Sequence, residues 1–298
     1  MGRSRRGGSD GDEGGGAFDN APAAQLLSKS LPRLCRSRLS RFRTSFLEQA
    51  VAQSLKPGDR LYAPVIKLAP DANVTNAVSM VEVLSVSKRT ATVKLDPPLG
   101  GVQTATIANS ALVRNVGIMI LRIGDFDTEY TLLDPLAKSL LQYFRLLVPD
   151  DIVVLKEFRA LDELRTILTK NHAAYSHLIL IGHGSTSSLR FGKEEVGASE
   201  FGKALEDSGC RGKVLVSLAC LTGVASFAKC LSESPACEAV IAPFHSVQGA
   251  VASQFCQTLF AHNLLEGRST KVAFRNARAA VPGTASFRLW VGGEMTAD

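Results

Sequence analysis

A chain of 298 residues, 45% hydrophobic and 21% charged, can bury a full core, and its length suits one to two domains. Its formal net charge of +6 is only mildly basic, much of the excess lies in arginines before residue 45, and no DNA- or RNA-binding motif accompanies it, so nucleic acid is not an expected partner. No run approaches 18 consecutive apolar residues and residues 1–20 hold no apolar h-region, so neither a membrane span nor a signal peptide is expected and the chain reads as cytoplasmic.

The cysteines stand at 35, 210, 220, 230, 237 and 256, and none forms a C-x-x-C pair. They read as reduced thiols, mostly small buried apolar residues, with no metal site and no cofactor expected.

Taken in order, residues 1–22 are rich in Gly, Ser, Asp and Arg and are expected to be disordered, with weak order to about residue 30. Across 31–56, Leu39, Phe42, Phe46, Leu47, Ala50 and Val51 recur at helical spacing beside Arg36, Arg38, Arg41 and Arg43. Such a basic amphipathic helix docks on the rest of the chain, or lies on a membrane or an acidic partner. Pro57-Gly58-Asp59 punctuates the chain, and 57–115 is rich in Val, Thr, Ile and Leu. Strand-like Val81–Val86 and Thr90–Leu95 flank a Ser87-Lys88-Arg89 turn, Asp96–Gly101 breaks the pattern, and Gln103–Ile107 resumes it. This predicts a small β-rich accessory module.

From residue 116 the rhythm becomes strand–helix alternation. Strands are predicted at Val116–Leu121, Ile152–Leu155, Leu178–Ile181, Val214–Leu218, Ala239–Ala242 and Phe287–Val291. Helices are predicted over Leu132–Leu147, Ala160–Tyr175, a segment capped by Ser199 and running to Asp207, Val224–Leu231, 248–265 and 270–280. Fully apolar strands alternating with helices argue for an α/β fold, a mostly parallel sheet covered by helices on both faces.

Two of these strands end on reactive side chains. Leu178–Ile181 leads into Gly182-His183-Gly184, and Val214–Leu218 into Ala219-Cys220-Leu221-Thr222-Gly223. Chemistry in open α/β sheets collects beyond the carboxyl ends of the strands. The stretch between His183 and Cys220 has room for a hairpin or loop, a helix and a return strand, so both can end adjacent strands. An imidazole beside a thiol can remove its proton and later protonate a leaving amine. The backbone N–H groups of Gly184 and Cys220 are suited to an oxyanion hole. His245, just past strand Ala239–Ala242, falls on the same rim as a pocket-lining residue. No G-x-S-x-G elbow, P-loop or complete dinucleotide fingerprint competes.

Ile181-Gly182-His183-Gly184, followed by Val216-Ser217-Leu218-Ala219-Cys220-Leu221-Thr222-Gly223, resembles the His and Cys motifs of caspase-like cysteine peptidases. The nearer resemblance is to the bacterial CHAT branch, related to separases, metacaspases and gingipains. It covers roughly 116–298, and the ending through Ala239–Phe244, Leu264–Ser269 and Ala273–Ala277 is similar. It implies a caspase-like fold, His183 as general base and Cys220 as nucleophile. Relatives often carry Asp two residues before the Cys, to bind a basic P1 side chain; here Leu218 stands there, so P1 preference stays open. Phe244 stands where the family often has Trp, and Leu218, Phe244 and His245 are the expected substrate-pocket residues. The resemblance further implies a protein substrate, an activating protein or ligand, and a setting in bacterial defence or regulated death. The alternative is a non-catalytic caspase-fold interaction module.

Overall fold

The computed structural model describes residues 55–71, 78–126 and 130–296. The tail and the basic helix expected over residues 1–56 lie outside the described residues, apart from positions 55 and 56.

The first β-rich stretch folds as a four-stranded antiparallel sheet in sequence order: β1 (Arg60–Pro64), β2 (Val78–Val86), β3 (Thr90–Leu99) and β4 (Val102–Ala108). Its core follows the two-residue period of a strand, with Leu61, Ala63, Val81, Val83, Ala91, Val93 and Leu95 buried on one face. The predicted break at Asp96–Gly101 needs correction. Strand β3 continues to Leu99 through a cis Asp96–Pro97 bond and a register shift between Lys94 and Leu99, and only Gly100-Gly101 make the turn.

The larger sheet has seven strands in the order β13-β12-β11-β10-β7-β5-β6. Parallel β6 (Val153–Phe158), β5 (Gly117–Ile123), β7 (Tyr175–Ile181), β10 (Lys213–Ser217) and β11 (Cys237–Pro243) form its body. Antiparallel β12 (Phe287–Val291) and β13 (Glu294–Met295) close one edge. Every residue of β5, β7 and β10 is buried, which is why each carries a continuous apolar run, Ile118–Leu121, Leu178–Ile181 and Val214–Val216. A short hairpin, β8 (Ser188–Phe191) with β9 (Glu194–Gly197), interrupts the chain after β7.

Alternating side chains feed two cores. Ile118, Ile120, Ile179, Ile181, Val214, Val216 and Ile241 meet helices α1 (Tyr130–Leu147), α4 (Gly249–Phe260) and α5 (Thr270–Ala280). Met119, Leu121, Leu178, Leu180, Leu215 and Val240 meet α2 (Leu161–Asn171) and α3 (Ala198–Asp207). In α1, Leu133, Ala137, Leu140 and Phe144 recur at three- and four-residue intervals and are buried. Removing a side chain such as Phe144 from water contributes about 2–3 kcal/mol. The fold is therefore the expected α/β class, a mostly parallel sheet flanked by helices and preceded by a small antiparallel sheet.

Four helix assignments need refinement. Helix α2 ends at Asn171 and Tyr175 already opens β7, and the stretch expected as one helix over 248–265 passes from α4 into a π-helical turn at Ala261–Leu265. Helix α3 starts at Ala198 with Gly197 as its N-cap, so Ser199 is inside the first turn. The helix expected over Val224–Leu231 is instead a π-helical turn, Ala225–Lys229, followed by one α-turn, Cys230–Glu233. No described helix is long and apolar enough to cross a membrane.

Candidate active site

The two chemistry-bearing loops leave neighbouring strands. Strand β10 lies parallel to β7 with Ser217 paired to Leu180, and the Leu218 N–H extends the ladder to the Leu180 carbonyl at 2.8 Å. His183 stands three residues beyond Leu180 and Cys220 three residues beyond Ser217, so imidazole and thiol occupy equivalent positions past adjacent strand ends. Both residues are half-buried. The Cys220 thiol lies 4.0 Å from the carbonyl oxygen of Val247, in the loop that follows β11.

The Cys loop is held by its own side chains. Ser217 Oγ and Thr222 Oγ1, both fully buried, lie 2.8 Å apart; Thr222 Oγ1 donates to the Ala219 carbonyl at 2.8 Å, and Ser217 Oγ accepts from the Ala219 N–H at 3.3 Å. This side-chain lattice lets Leu221 hold φ at 64°, a left-handed conformation that costs a leucine about 1–2 kcal/mol and persists only where its surroundings impose it. Gly223 is pinned from both sides. Its N–H donates to the Pro243 carbonyl at 2.8 Å, and its carbonyl accepts from Trp290 Nε1 at 2.9 Å. A Cβ on Gly223 would stand 2.5 Å from the Ala242 carbonyl oxygen, so glycine is required by close approach to β11.

The His loop is braced by the β8–β9 hairpin. The His183 carbonyl accepts from the Arg190 N–H at 3.1 Å, Gly184 bridges to Leu189, and the Ser185 N–H donates to the Ser188 carbonyl at 2.9 Å. The two loops then touch: a Cβ on Gly184 would lie 2.7 Å from Thr222 Cγ2 and 2.8 Å from the Cys220 carbonyl oxygen.

The expected pocket residues separate. Leu218 is buried in the core shared with α1, α4 and α5. Phe244 and His245, just past β11, are exposed, with ring centroids 4.9 Å apart, and the Arg288 guanidinium sits 5.7 Å from the Phe244 ring. Burial distinguishes the remaining thiols and imidazoles. It pushes Cys210 up to about 11 and Cys237 up to about 12, and raises Cys256 as well. Of the described cysteines, Cys220 and Cys230 are the two that are not buried. His177, buried and also near the Lys213 charge, is held down at about 4, and burial lowers His172. No cluster of His, Cys, Asp or Glu suited to a metal ion occurs among the described residues.

Several residues at this rim carry no sequence signal. Ser217 and Thr222 shape the Cys loop through hydrogen bonds within it, and Trp290 reaches it through one long-range bond; none of these shows as a pattern in the sequence. Arg122, at the end of β5, is 2% exposed. Its Nη1 donates to Asp134 Oδ1 at 3.1 Å and Glu157 Oε1 at 2.6 Å, tying α1 and β6 to the rim.

No protein-family model and no curated protein matches the sequence. Among solved structures, the chain is similar to a secreted C11 cysteine protease from Bacteroides thetaiotaomicron in complex with an irreversible peptide inhibitor. The TM-score is 0.44 at 11% identity, over 60% of this chain and 66% of that one. It is also similar to an inactive zymogen C11 protease from Parabacteroides distasonis, with a TM-score of 0.43 at 10% identity, over 59% and 61% of the two chains. The chain thus spans just under two thirds of the length of each.

Proposed function

We propose that this chain is a cysteine endopeptidase of the CHAT branch that cleaves a protein partner, with His183 as base and Cys220 as nucleophile. The observation that carries this reading is the register of β7 and β10, which brings the two loops into contact at Gly184. The imidazole takes the thiol proton, and the thiolate attacks the scissile carbonyl. Backbone N–H groups of Gly184 and Cys220 receive the developing oxyanion. His183 returns the proton to the leaving amine, and water, activated by the same imidazole, then hydrolyses the thioester. With Leu218 buried where relatives place an acid, the reading assigns no P1 side chain. The motif resemblance supports gating by a partner or ligand in a defence or regulated-death setting, with the β1–β4 sheet as the coupling element.

Competitive labelling with iodoacetamide tests the dyad without knowledge of the substrate. Cys220 is expected to react fastest of the thiols, and His183→Ala to slow it by about 10²-fold, the scale of general-base assistance. Cys230, the other thiol that is not buried among the described cysteines, serves as internal reference. If Cys220 reacts no faster than Cys230 and ignores His183→Ala, the peptidase reading fails and the non-catalytic interaction module takes its place.

A further inference from the structure

We propose that Ser226 is a positioning residue for the His183–Cys220 pair, acting as a clasp between their two loops; this rests on the peptidase reading above. The Ser226 hydroxyl, in the π-helical turn that follows the Cys loop, donates to the carbonyl of Thr186, in the loop that follows His183, at 2.5 Å. Thr186 lies three residues past the imidazole and Ser226 six past the thiol, so the bond spans the mouths of both loops.

Each loop is otherwise held by its own bonds. Internally both are stiff: the Cys loop through Ser217, Thr222 and Trp290, the His loop through Ser185, Leu189 and Arg190. Stiff bodies transmit a displacement rather than absorb it, so the spacing of imidazole and thiol depends on what joins the bodies. At the base the loops are joined by the β7–β10 ladder, which ends at the Leu218 N–H to Leu180 carbonyl bond, and beyond it Gly184 packs against Thr222 and the Cys220 carbonyl, a contact that resists approach more than separation. The Ser226–Thr186 bond resists separation and gives the pair a directional tie. The wide π turn fits that task, since such turns mark places where a helix re-aims a side chain, often at functional sites.

Both clasp residues are exposed, so the bond contributes little to folding stability. Its removal is therefore expected to change the site and leave the fold. That separates a positioning role from a structural one.

The test is the rate of Cys220 alkylation by iodoacetamide in the full chain, measured from pH 5 to 9, with Cys230 as reference in the same digest. Wild type, Ser226→Ala, Ser226→Thr and His183→Ala are compared, and thermal melting is recorded for each. Ser226→Ala is expected to lose about tenfold in rate near pH 7 and to move its pH profile toward that of His183→Ala, as a misplacement below 1 Å would produce. Ser226→Thr, which keeps the hydroxyl, is expected to follow wild type, with all melting temperatures within about 2 °C of one another. If Ser226→Ala overlays wild type while His183→Ala differs, the clasp is wrong and the dyad stands. If wild type and His183→Ala coincide, the dyad itself is wrong, and the clasp with it. A Ser226→Ala protein that melts several degrees lower makes Ser226 a structural residue and overturns the positioning role.

Discussion

Two glycines at the rim do work that no other residue can do, and for different reasons. Gly223 sits against the backbone of β11, where an added Cβ meets the Ala242 carbonyl oxygen at 2.5 Å and the Pro243 carbonyl carbon at 2.7 Å. Sheet backbone cannot step aside, so Gly223→Ala is expected to cost about 2–3 kcal/mol, the upper range for overpacking. Gly184 faces two side-chain methyls, Thr222 Cγ2 and Ala219 Cβ, and one loop carbonyl, that of Cys220; all belong to a loop, which can give a little where a sheet cannot. Gly184→Ala is expected to cost about 1 kcal/mol of stability, yet to slow His183-dependent alkylation of Cys220 more than tenfold by prising the loops apart. Gly249, the first residue of α4 with open space around its Cα, is the control: Gly249→Ala is expected to stabilise by a few tenths of a kcal/mol to about 1. Urea unfolding of the three variants checks the order, and equal costs at positions 184 and 223 would contradict it.

At the scale of elements, Trp290 makes the sharpest prediction. It projects from antiparallel β12, two strands from β10, and its indole N–H is the donor to the Gly223 carbonyl. Trp290→Phe keeps the ring in the core but leaves that buried carbonyl without the donor, an expected cost of about 1–3 kcal/mol. Because Gly223 ends the Cys loop, the alkylation rate of Cys220 is expected to fall as well; an unchanged rate would mean that the loop holds its shape without β12. That link was not legible in the sequence, where Trp290 reads only as one apolar residue of a strand. What was legible follows from burial. Strands β5, β7, β10 and β11 are covered on both faces and advertise themselves as apolar runs, and Phe287–Val291 has the predicted bounds. The stretch after His183 reads in the sequence only as a hairpin or loop, because the second strand of β8–β9, Glu194–Gly197, is short and largely exposed and has no periodicity to read. The π turn at Ala225–Lys229 has ordinary helical composition, and only its hydrogen-bond geometry sets it apart. The His and Cys loops were found because each follows a strand that could be read; the hydroxyls that shape them were not.

For the molecule as a whole, the telling feature is the set of basic groups buried at the opposite end of the sheet from the candidate site. Lys213 opens β10 and is 2% exposed. Its ammonium donates to Asn115 Oδ1 at 2.6 Å, the His172 carbonyl at 2.7 Å and the Tyr175 carbonyl at 2.6 Å, so one side chain joins the strand before Cys220, the strand before His183 and the approach from the β1–β4 sheet. Burial nonetheless disfavours its charge and lowers its pKa to about 8 from 10.5. His177, inside β7, hydrogen-bonds Ser176 Oγ at 2.7 Å, packs on Phe260 at 5.1 Å, and is held neutral down to about pH 4 against an ordinary 6.5. In both cases the unfolded chain binds a proton that the folded chain releases, so stability rises with pH through each window. For His177 the contribution is complete above about pH 6.5 and is lost as pH falls toward 4, amounting to about 2 kcal/mol between pH 7 and 5. For Lys213 stability climbs from about pH 8 toward 10.5, by up to about 3 kcal/mol. Urea unfolding at pH 5, 7 and 9 checks both limbs. The difference between wild type and His177→Gln is expected to shrink by about 2 kcal/mol on going from pH 7 to 5, because the glutamine variant has no imidazole to protonate and carboxylate contributions cancel in the comparison. Parallel stability curves for the two proteins would show that His177 is protonated in the fold without penalty, and would remove buried neutral imidazole from the account of how this sheet is held.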